Sequence, residues 1–218
     1  MSVNELWKAG HKGHNADREV RIASAIKCLK LVRNLVSFEN VVDFGCGIGA
    51  WLHAAQRLGA GNITGFEGEW IEGTETVVDK AVIRIADLST QTMDLGKSFD
   101  LAMSIEVAEH LPESAADGFC RTLASASDYL LFSAAIPGQG GVGHFNEQPL
   151  PYWVDKFWKL GFVPIEPIRP YIAEDRTIQP WLRQNLIMFI KYDALIRSDA
   201  LLRFARPLCD FRLRYPIA

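Results

Sequence analysis

The chain has 218 residues, of which 49% are hydrophobic and 22% charged, and this composition predicts one globular unit with a sizeable core. The formal net charge of −3 provides no basic field for nucleic acid, so a nucleic-acid partner is not expected. The four cysteines are scattered without a CxxC pair, which argues against a zinc knuckle or a disulfide framework and favours a reducing cytoplasm. No apolar run has the length needed to span a bilayer.

Hydrophobic periodicity predicts alternating helices and strands in the first half of the chain. An amphipathic helix is expected over residues 17–37, with Asn15 or Asp17 as its cap. The elements that follow are a strand from residue 41, a helix over 50–58 and strands over 62–66 and 81–86. Between the last two strands, the acidic, glycine-marked stretch 67–76 predicts a short or absent crossover helix.

The same alternation continues in the second half. The predicted elements are strands over 99–104, 129–134, 162–165 and 185–192, and helices over 113–126 and 151–160. Strands that alternate with helices predict an α/β fold with a doubly wound, mostly parallel, seven-stranded sheet that is covered on both faces. Ligands bind such open sheets at the carboxyl ends of the strands.

The run from Val41 to Leu52 reads as a buried strand, a glycine turn and the start of a helix. Gly45, Gly47 and Gly49 remove side chains where backbone passes close to a ligand, and the helix N-terminus points its N–H groups at that ligand. Asp43, two residues before the first glycine, would repel a pyrophosphate and attract a cationic group. The motif therefore predicts a nucleotide-type ligand that carries a cation.

Together with a second acid at Glu67, this run resembles motif I of the class I S-adenosylmethionine-dependent methyltransferases. The resemblance covers roughly residues 38–192. It implies a Rossmann-like sheet with an antiparallel last strand, and S-adenosyl-L-methionine as cofactor. The expected organisation is an N-terminal helical cap over 1–37, the methyltransferase domain over 38–192 and a basic amphipathic tail over 193–218.

Other residues at strand ends are candidates for holding this cofactor. By resemblance, Glu67 accepts hydrogen bonds from both ribose hydroxyls, Asp87 accepts one from the adenine amino group, and Leu88 contacts the ring. Ser104, at the end of the fourth strand, completes the candidate set. The alternatives are a solvated acid at Glu67 and a turn cap at Asp87.

The segment after the fourth strand, ExxEHLP, brings candidate catalytic groups. It resembles the corresponding segment of small-molecule O-methyltransferases and of small-RNA 3′-terminal methyltransferases, where it lies beside the methyl donor. If the segment begins a helix, Glu106, Glu109 and His110 share one face. His110 is then a candidate general base, and the alternative is that Glu109 and His110 only cap the helix and shape the pocket.

A glycine-rich stretch over residues 136–149 follows the fifth strand and contains His144. It predicts a mobile loop that closes over an acceptor and brings His144 in as a second candidate base. His144 also completes a candidate metal set with Glu106, Glu109 and His110. Two carboxylates and two imidazoles suit manganese, iron or zinc, so a divalent cation is a further candidate cofactor.

Two segments near the C-terminus carry charged groups without a motif. The proline-marked excursion over residues 167–180 is expected to be either a lid over a polar or anionic acceptor or a solvated loop. The tail over 193–218 is predicted to form a basic helix that docks on the body or on a second subunit, while peripheral membrane contact is a weaker alternative. A homo-oligomer is compatible with this reading.

The sequence and its resemblances therefore predict an enzyme that transfers a methyl group from S-adenosylmethionine to an oxygen of a small polar acceptor. The resemblance of residues 143–153 to the substrate-side loop of bacterial methyltransferases implies a sugar or a secondary metabolite as that acceptor. One alternative is a metal-dependent methyltransferase of the RNA 3′-end type. Two others are a nicotinamide-dependent oxidoreductase, which shares the glycine turn, and a non-catalytic partner that keeps the fold.

Overall fold

A computed structural model describes residues 17–205 and shows an α/β fold built on one seven-stranded sheet. The strands are β1 Asn40–Phe44, β2 Asn62–Glu67, β3 Ile83–Ile85, β4 Leu101–Ile105, β5 Tyr129–Ser133, β6 Phe162–Ile165 and β7 Ile187–Lys191. Their order in the sheet is β3-β2-β1-β4-β5-β7-β6. Only β7 runs antiparallel to its neighbours, which confirms the predicted doubly wound sheet with an antiparallel last strand.

Helices cover both faces of this sheet. The helices are α1 Arg18–Arg33, α2 Ala50–Arg57, α3 Ala116–Ala126, α4 Leu150–Lys159, α5 Arg169–Ile172, α6 Pro180–Asn185, α7 Tyr192–Leu195 and α8 Asp199–Ala205. The central strands are mainly apolar because they are buried on both sides: Val41 belongs to one core cluster and its neighbour Val42 to the other. Helix α1 packs on α2 in the first cluster, and α3 and α4 lie in the second.

The connection between β2 and β3 contains no α-helix, as the sequence predicts. Two short 3₁₀ segments, Glu69–Ile71 and Lys80–Val82, take its place. Residues 81 and 82 are therefore not part of a strand as expected, because the Asp79 carboxylate accepts a hydrogen bond from the Ala81 N–H at 2.9 Å and caps a turn there.

Several other boundaries differ from the predictions. Helix α1 ends at Arg33, four residues early, and the Asp17 side chain makes no capping hydrogen bond; Asn15 lies outside the described residues. Residues Glu113–Ala115 form a 3₁₀ turn before α3. Asn185 ends α6 instead of beginning the last strand, because Pro180 starts a short helix immediately before β7.

The two edges of the sheet differ in length and chemistry. β3 has three residues at one edge, and β6 contains Pro164 at the other. Among residues 17–205, the structure contains no helix with the length and apolarity that bilayer crossing requires. The predicted tail helix is described only to Ala205, and residues 206–218 lie outside the described part of the chain.

Candidate functional site

The glycine turn after β1 depends on left-handed backbone at three positions. The φ angles of Gly45, Gly47 and Gly49 are 76°, 53° and 87°, a region that L side chains rarely adopt. A Cβ atom on Gly45 would lie 2.4 Å from a methyl group of Val107, and one on Gly49 would lie 2.5 Å from a methyl group of Val78. The turn therefore needs glycine because a side chain would clash with Val107 or Val78. The motif alone indicated a different reason, the close approach of a ligand.

Glu67 ends β2 and reaches across to the glycine turn. One carboxylate oxygen accepts a hydrogen bond from the Gly47 N–H at 2.7 Å, and the other accepts from the Gly68 N–H at 2.8 Å and from the Trp70 indole N–H at 2.9 Å. Burial raises the pKa of Glu67, whereas these three donors lower it. Glu67 thus holds the turn and also lines the main cavity, and it is not the solvated acid of the alternative reading.

Asp43 and Ser104 are buried below this turn and lie outside the lining of the main cavity. Asp43 is 1% exposed, and its Oδ1 has no hydrogen-bond partner among the described residues. Burial and the nearby Glu67 raise the pKa of Asp43 well above its usual range. Ser104 is fully buried in β4, and its hydroxyl likewise has no partner within residues 17–205.

Asp87 faces solvent, away from the lining of the main cavity. Its carboxylate accepts hydrogen bonds from the Ser89 N–H and hydroxyl and from the Thr90 hydroxyl, and these bonds lower its pKa although partial desolvation, the largest single effect, acts against them. The side chain therefore caps a turn, as in the alternative reading, while Leu88 is buried in the core.

The main cavity has a volume of about 390 Å³ and lies at the carboxyl ends of the central strands. Its lining joins the glycine turn and Glu67 to the segment after β4, the loop after β5, the start of α1 and the region of α6. The volume falls within the usual range for small-molecule sites. Of the predicted site residues, the cavity brings together Gly45, Gly47, Glu67, Glu106, Glu109, His110 and His144.

The prediction that Glu106, Glu109 and His110 share one helical face is wrong. Glu106 has a left-handed backbone with φ 55°, and a 3₁₀ turn over Ala108–His110 follows it. Its carboxylate accepts hydrogen bonds from the Gln139 side-chain N–H at 2.8 Å and from the Asn185 side-chain N–H at 3.2 Å. Glu106 therefore links the segment to the loop and to α6, and it is not a member of the cluster with metal-ligand geometry.

That cluster contains Glu109, His110 and His144. One candidate ligand atom of each residue lies within 4.8 Å of those of the other two. Glu109 is completely buried, and neither of its carboxylate oxygens forms a hydrogen bond of normal geometry within the described residues. Burial and the neighbouring Glu106 raise the pKa of Glu109 well above its usual range, although the backbone N–H groups of Glu109 and Ala135 act on this carboxyl to lower its pKa. This pocket holds either a neutral carboxyl or a cation that compensates the charge.

The two histidine rings meet edge to face, with 4.7 Å between their centroids. His110 Nδ1 lies 3.0 Å from the Gly143 carbonyl oxygen, which can only accept, so this nitrogen carries the proton of the neutral ring. Burial lowers the pKa of His110 to about 4, and His144 contributes in the same direction. His110 is therefore neutral at pH 7, with the lone pair on Nε2.

Glu147 is a site residue that the sequence analysis missed. Its Oε1 lies 2.8 Å from His144 Nδ1 and accepts the Gly140 N–H at 2.7 Å, while its Oε2 accepts the Gly138 N–H at 2.8 Å. These three bonds lower the pKa of Glu147. The only available signal was the spacing of an acid three residues after a histidine in a glycine-rich loop.

The loop after β5 is also attached to the segment after β4. The backbone N–H groups of Phe145 and Asn146 both donate to the Glu109 carbonyl oxygen at 2.9 Å. With the His110 and Glu147 bonds, these contacts give the predicted mobile loop a defined conformation beside the cluster.

The excursion over 167–180 contributes less to the cavity than a lid would. The arginines Arg169 and Arg183 bind backbone carbonyl oxygens within the same region, and Arg169 also pairs with Glu166. Gln179 lines the cavity together with Trp181 and Leu182 of α6. These contacts indicate that Arg169 and Arg183 stabilise the excursion and do not bind an acceptor.

Comparison with known proteins identifies the family. A family profile described as a methyltransferase domain matches residues 14–134, more than half of the chain. A comparison with curated proteins yields no significant match.

Solved structures share the fold at low identity. A sugar N-methyltransferase from a Streptoalloteichus species is 14% identical over 85% of this chain and 92% of its own, with a TM-score of 0.60. The magnesium protoporphyrin IX methyltransferase of Synechocystis, with bound SAH, is 16% identical over 86% and 93%, with a TM-score of 0.56. The methyltransferase domain of a bacterial Hen1 is 19% identical over 78% and 97%, with a TM-score of 0.52.

The glycine turn, the Glu67 carboxylate at the second strand and the matched profile agree with one another, and they leave no support for the nicotinamide alternative. The cofactor is S-adenosylmethionine. The chain belongs to the class I S-adenosylmethionine-dependent methyltransferases.

Proposed function

We propose that the protein transfers the methyl group of S-adenosylmethionine to an oxygen of a small acceptor. The observation that carries this proposal is the pair of imidazole rings of His110 and His144, each fixed through its Nδ1, on the cavity that the glycine turn also lines. This arrangement puts proton acceptors next to the cofactor site, and a hydroxyl acceptor needs such a group.

The donor side of the cavity fits the cofactor. The Glu67 carboxylate lines the cavity and has capacity for a further donor, since three of its roughly four lone-pair positions are in use. When bound, S-adenosylmethionine supplies a methyl group already activated on a sulfonium. The protein then needs to align the acceptor and to remove its proton.

His144 is the residue we assign to proton removal. The Glu147 carboxylate accepts the proton on Nδ1, which leaves the Nε2 lone pair to receive one, and it stabilises the imidazolium that forms. His110, whose pKa is lowered to about 4, stays neutral and orients the acceptor hydroxyl instead of holding its proton. The acceptor is a small molecule rather than a nucleic acid, because Arg21 is the single lysine or arginine among the described residues that line the cavity.

The test measures methyl transfer to a panel of small hydroxylated compounds and identifies the product by NMR. We expect an O-methyl product, and His144→Ala should lower turnover at least about 100-fold while the affinity for S-adenosylhomocysteine stays within about twofold. His53→Ala on α2, outside the cavity lining, is the control. An N-methyl or C-methyl product, or normal turnover by folded His144→Ala, contradicts the proposal.

The cluster of Glu109, His110 and His144 supports a second candidate, in which a divalent cation holds the acceptor oxygen. Metal-binding histidines usually donate their other ring N–H to a carboxylate or a carbonyl group, and both histidines here do so. The Glu109 oxygens form no hydrogen bond of normal geometry within the described residues, so the three side chains suit manganese, iron or zinc. A coordinated hydroxyl would lose its proton more readily.

Titration of chelator-treated protein with manganese, followed by an activity assay, separates the two candidates. The metal candidate predicts that Glu109→Gln weakens manganese binding at least about tenfold, whereas Glu106→Gln, outside the cluster, leaves it unchanged. Full activity of the metal-free protein removes the metal candidate and leaves His144 as the base.

A further inference from the structure

Two apolar side chains of the loop after β5 lie exposed at the cavity. Val142 is 59% exposed and Phe145 is 56% exposed, and both belong to the cavity lining, on either side of His144 in the sequence. The backbone N–H of Phe145 donates to the Glu109 carbonyl oxygen at 2.9 Å, which fixes this residue close to the polar cluster. Grouped apolar surface at a cavity indicates a ligand with an apolar face.

Besides the buried Trp70, two further tryptophans add apolar surface to the lining. Trp51 belongs to α2 and Trp181 to α6, and both are only partly buried. Aromatic side chains bind flat apolar groups through large contact areas and stacking. A planar aromatic ring would cover more of this surface than a sugar ring, because the hydroxyl groups of the sugar project around its rim.

Arg21 adds one positive charge to the same lining. Its Nε is buried without a hydrogen-bond partner, and its guanidinium forms no ion pair with an acid within residues 17–205. Burial lowers the pKa of Arg21, and the charge of Asp17, which also lines the cavity, acts in the opposite direction. Arg18, three residues earlier on α1, is different because it pairs with Glu75 at 3.3 Å and lies outside the cavity lining. A guanidinium that forms no ion pair with the described residues of a binding cavity is suited to a carboxylate.

We infer that the acceptor is an aromatic hydroxy acid: its hydroxyl lies at the Glu109, His110 and His144 cluster, its ring contacts Val142 and Phe145, and its carboxylate pairs with Arg21. This inference rests on the proposed function and narrows the acceptor from small molecules in general to one chemical class. The amino-acid end of the cofactor carries the other carboxylate that this cavity receives, so the experiment must distinguish the two sources.

The experiment measures binding by calorimetry to protein saturated with S-adenosylhomocysteine. The probes are 4-hydroxybenzoate, its neutral analogue 4-hydroxybenzamide, and glucuronate, which carries a carboxylate on a polar ring. We expect 4-hydroxybenzoate to bind at least about tenfold more tightly than either of the others. Arg21→Gln should abolish the preference over the amide, and Arg18→Gln should retain it. Phe145→Ser should abolish the preference over glucuronate.

Separate titrations of each variant with S-adenosylhomocysteine and with methylthioadenosine, which lacks the carboxylate, complete the test. The inference requires that Arg21→Gln leave both affinities unchanged. Loss of affinity for S-adenosylhomocysteine alone assigns Arg21 to the cofactor and overturns the inference, as does equal or undetectable binding of the three probes. These binding measurements involve no methyl transfer, so they fail independently of the proposed function.

Discussion

The donor half and the acceptor half of the cavity are built in different ways. On the donor side, the Gly47 N–H donates to the Glu67 carboxylate at 2.7 Å and the Gly45 N–H donates to the Phe66 carbonyl oxygen at 2.8 Å, so the glycine turn is bonded directly to β2. On the acceptor side, the Glu109 oxygens are buried without hydrogen bonds of normal geometry among the described residues, and the loop that carries His144 is held by contacts between segments more than thirty residues apart. The donor-side groups that line the cavity are therefore held by bonds within the protein, while the acceptor half contains groups that a ligand or cation would satisfy.

The largest effect should come from breaking the donor half at Gly45. Gly45→Ala combines a left-handed backbone with a Cβ atom 2.4 Å from Val107, so we expect a loss of about 2 to 5 kcal/mol in the free energy of unfolding. Urea unfolding measures this change. Gly138→Ala, in the acceptor loop, is the matched control because its φ of 86° is equally unfavourable but its Cβ meets nothing within 4 Å.

The Gly138→Ala control should lose only about 1 to 2 kcal/mol in the free energy of unfolding, because it adds backbone strain without a clash. Adding Val107→Ala to Gly45→Ala should recover part of the loss by making room for the methyl group. Equal losses in the two glycine variants would show that packing against Val107 does not define the turn.

The next largest effect is on cofactor affinity, and it should differ among the three acids at strand ends, Asp43, Glu67 and Asp87. Glu67→Ala should weaken S-adenosylhomocysteine binding by about 1.5 to 3 kcal/mol, since a charged acceptor at the cavity is lost and the Gly47 N–H is left without its partner. Asp87→Ala should have a much smaller effect, because this side chain is exposed and caps a turn. Calorimetry of the folded variants measures both.

Asp79→Ala is the control, because Asp79 also caps an exposed turn near the same strand. Asp43→Ala should act mainly on stability, since its buried carboxyl lies outside the cavity lining. If Asp87→Ala weakened S-adenosylhomocysteine binding as much as Glu67→Ala, the result would support the predicted contact between Asp87 and adenine.

The smallest effect is a pH dependence from His110 on the acceptor side. Its pKa is about 4 in the folded protein and about 6.5 when unfolded, so the unfolded chain binds more protons between these values. The contribution of His110 to stability is therefore fully present above about pH 6.5 and is lost as the pH falls towards 4. Allowing for partial solvent screening, we expect a loss of about 1 to 2 kcal/mol.

The measurement is urea unfolding across this pH range for the wild type and His110→Asn. The raised pKa values of Asp43, Glu67 and Glu109 act in the opposite direction, because the stability they contribute is fully present below their unfolded pKa values and is lost as the pH rises through their folded ones. The difference between the two proteins isolates His110. A difference that does not change with pH would show that burial does not disfavour the charged ring.

Most of the fold was predictable from hydrophobic periodicity, including all seven strands and the absence of a helix between β2 and β3. The boundaries were harder, because a few local bonds decide them. The Asp79 cap shortened β3 at its start, and the short helix that begins at Pro180 extends to Asn185, where the last strand was expected to begin. Both boundaries depend on a single side chain, and the pattern of hydrophobic residues does not reveal such effects.

The cavity lining contains only part of the set expected on the donor side, namely Gly45, Gly47 and Glu67, whereas it contains all four residues expected on the acceptor side. The glycines and Glu67 follow from a local motif, whereas the environment of Glu106 depends on Gln139 and on Asn185, which is 79 residues away. Its left-handed backbone removed it from the expected helical face. Glu147 was missed because it accepts hydrogen bonds from the backbone N–H groups of Gly138 and Gly140, and such bonds cannot be predicted from residue type.

The two sheet edges have a consequence for self-association. An unprotected edge strand can template pairing with a second chain and begin a cross-β aggregate. Here β3 offers only three residues for such pairing, and Pro164 interrupts the ladder of donors on β6. Any homo-oligomer is therefore expected to form through helices or loops rather than by joining sheets, and Pro164→Val should make the protein more prone to aggregate on storage.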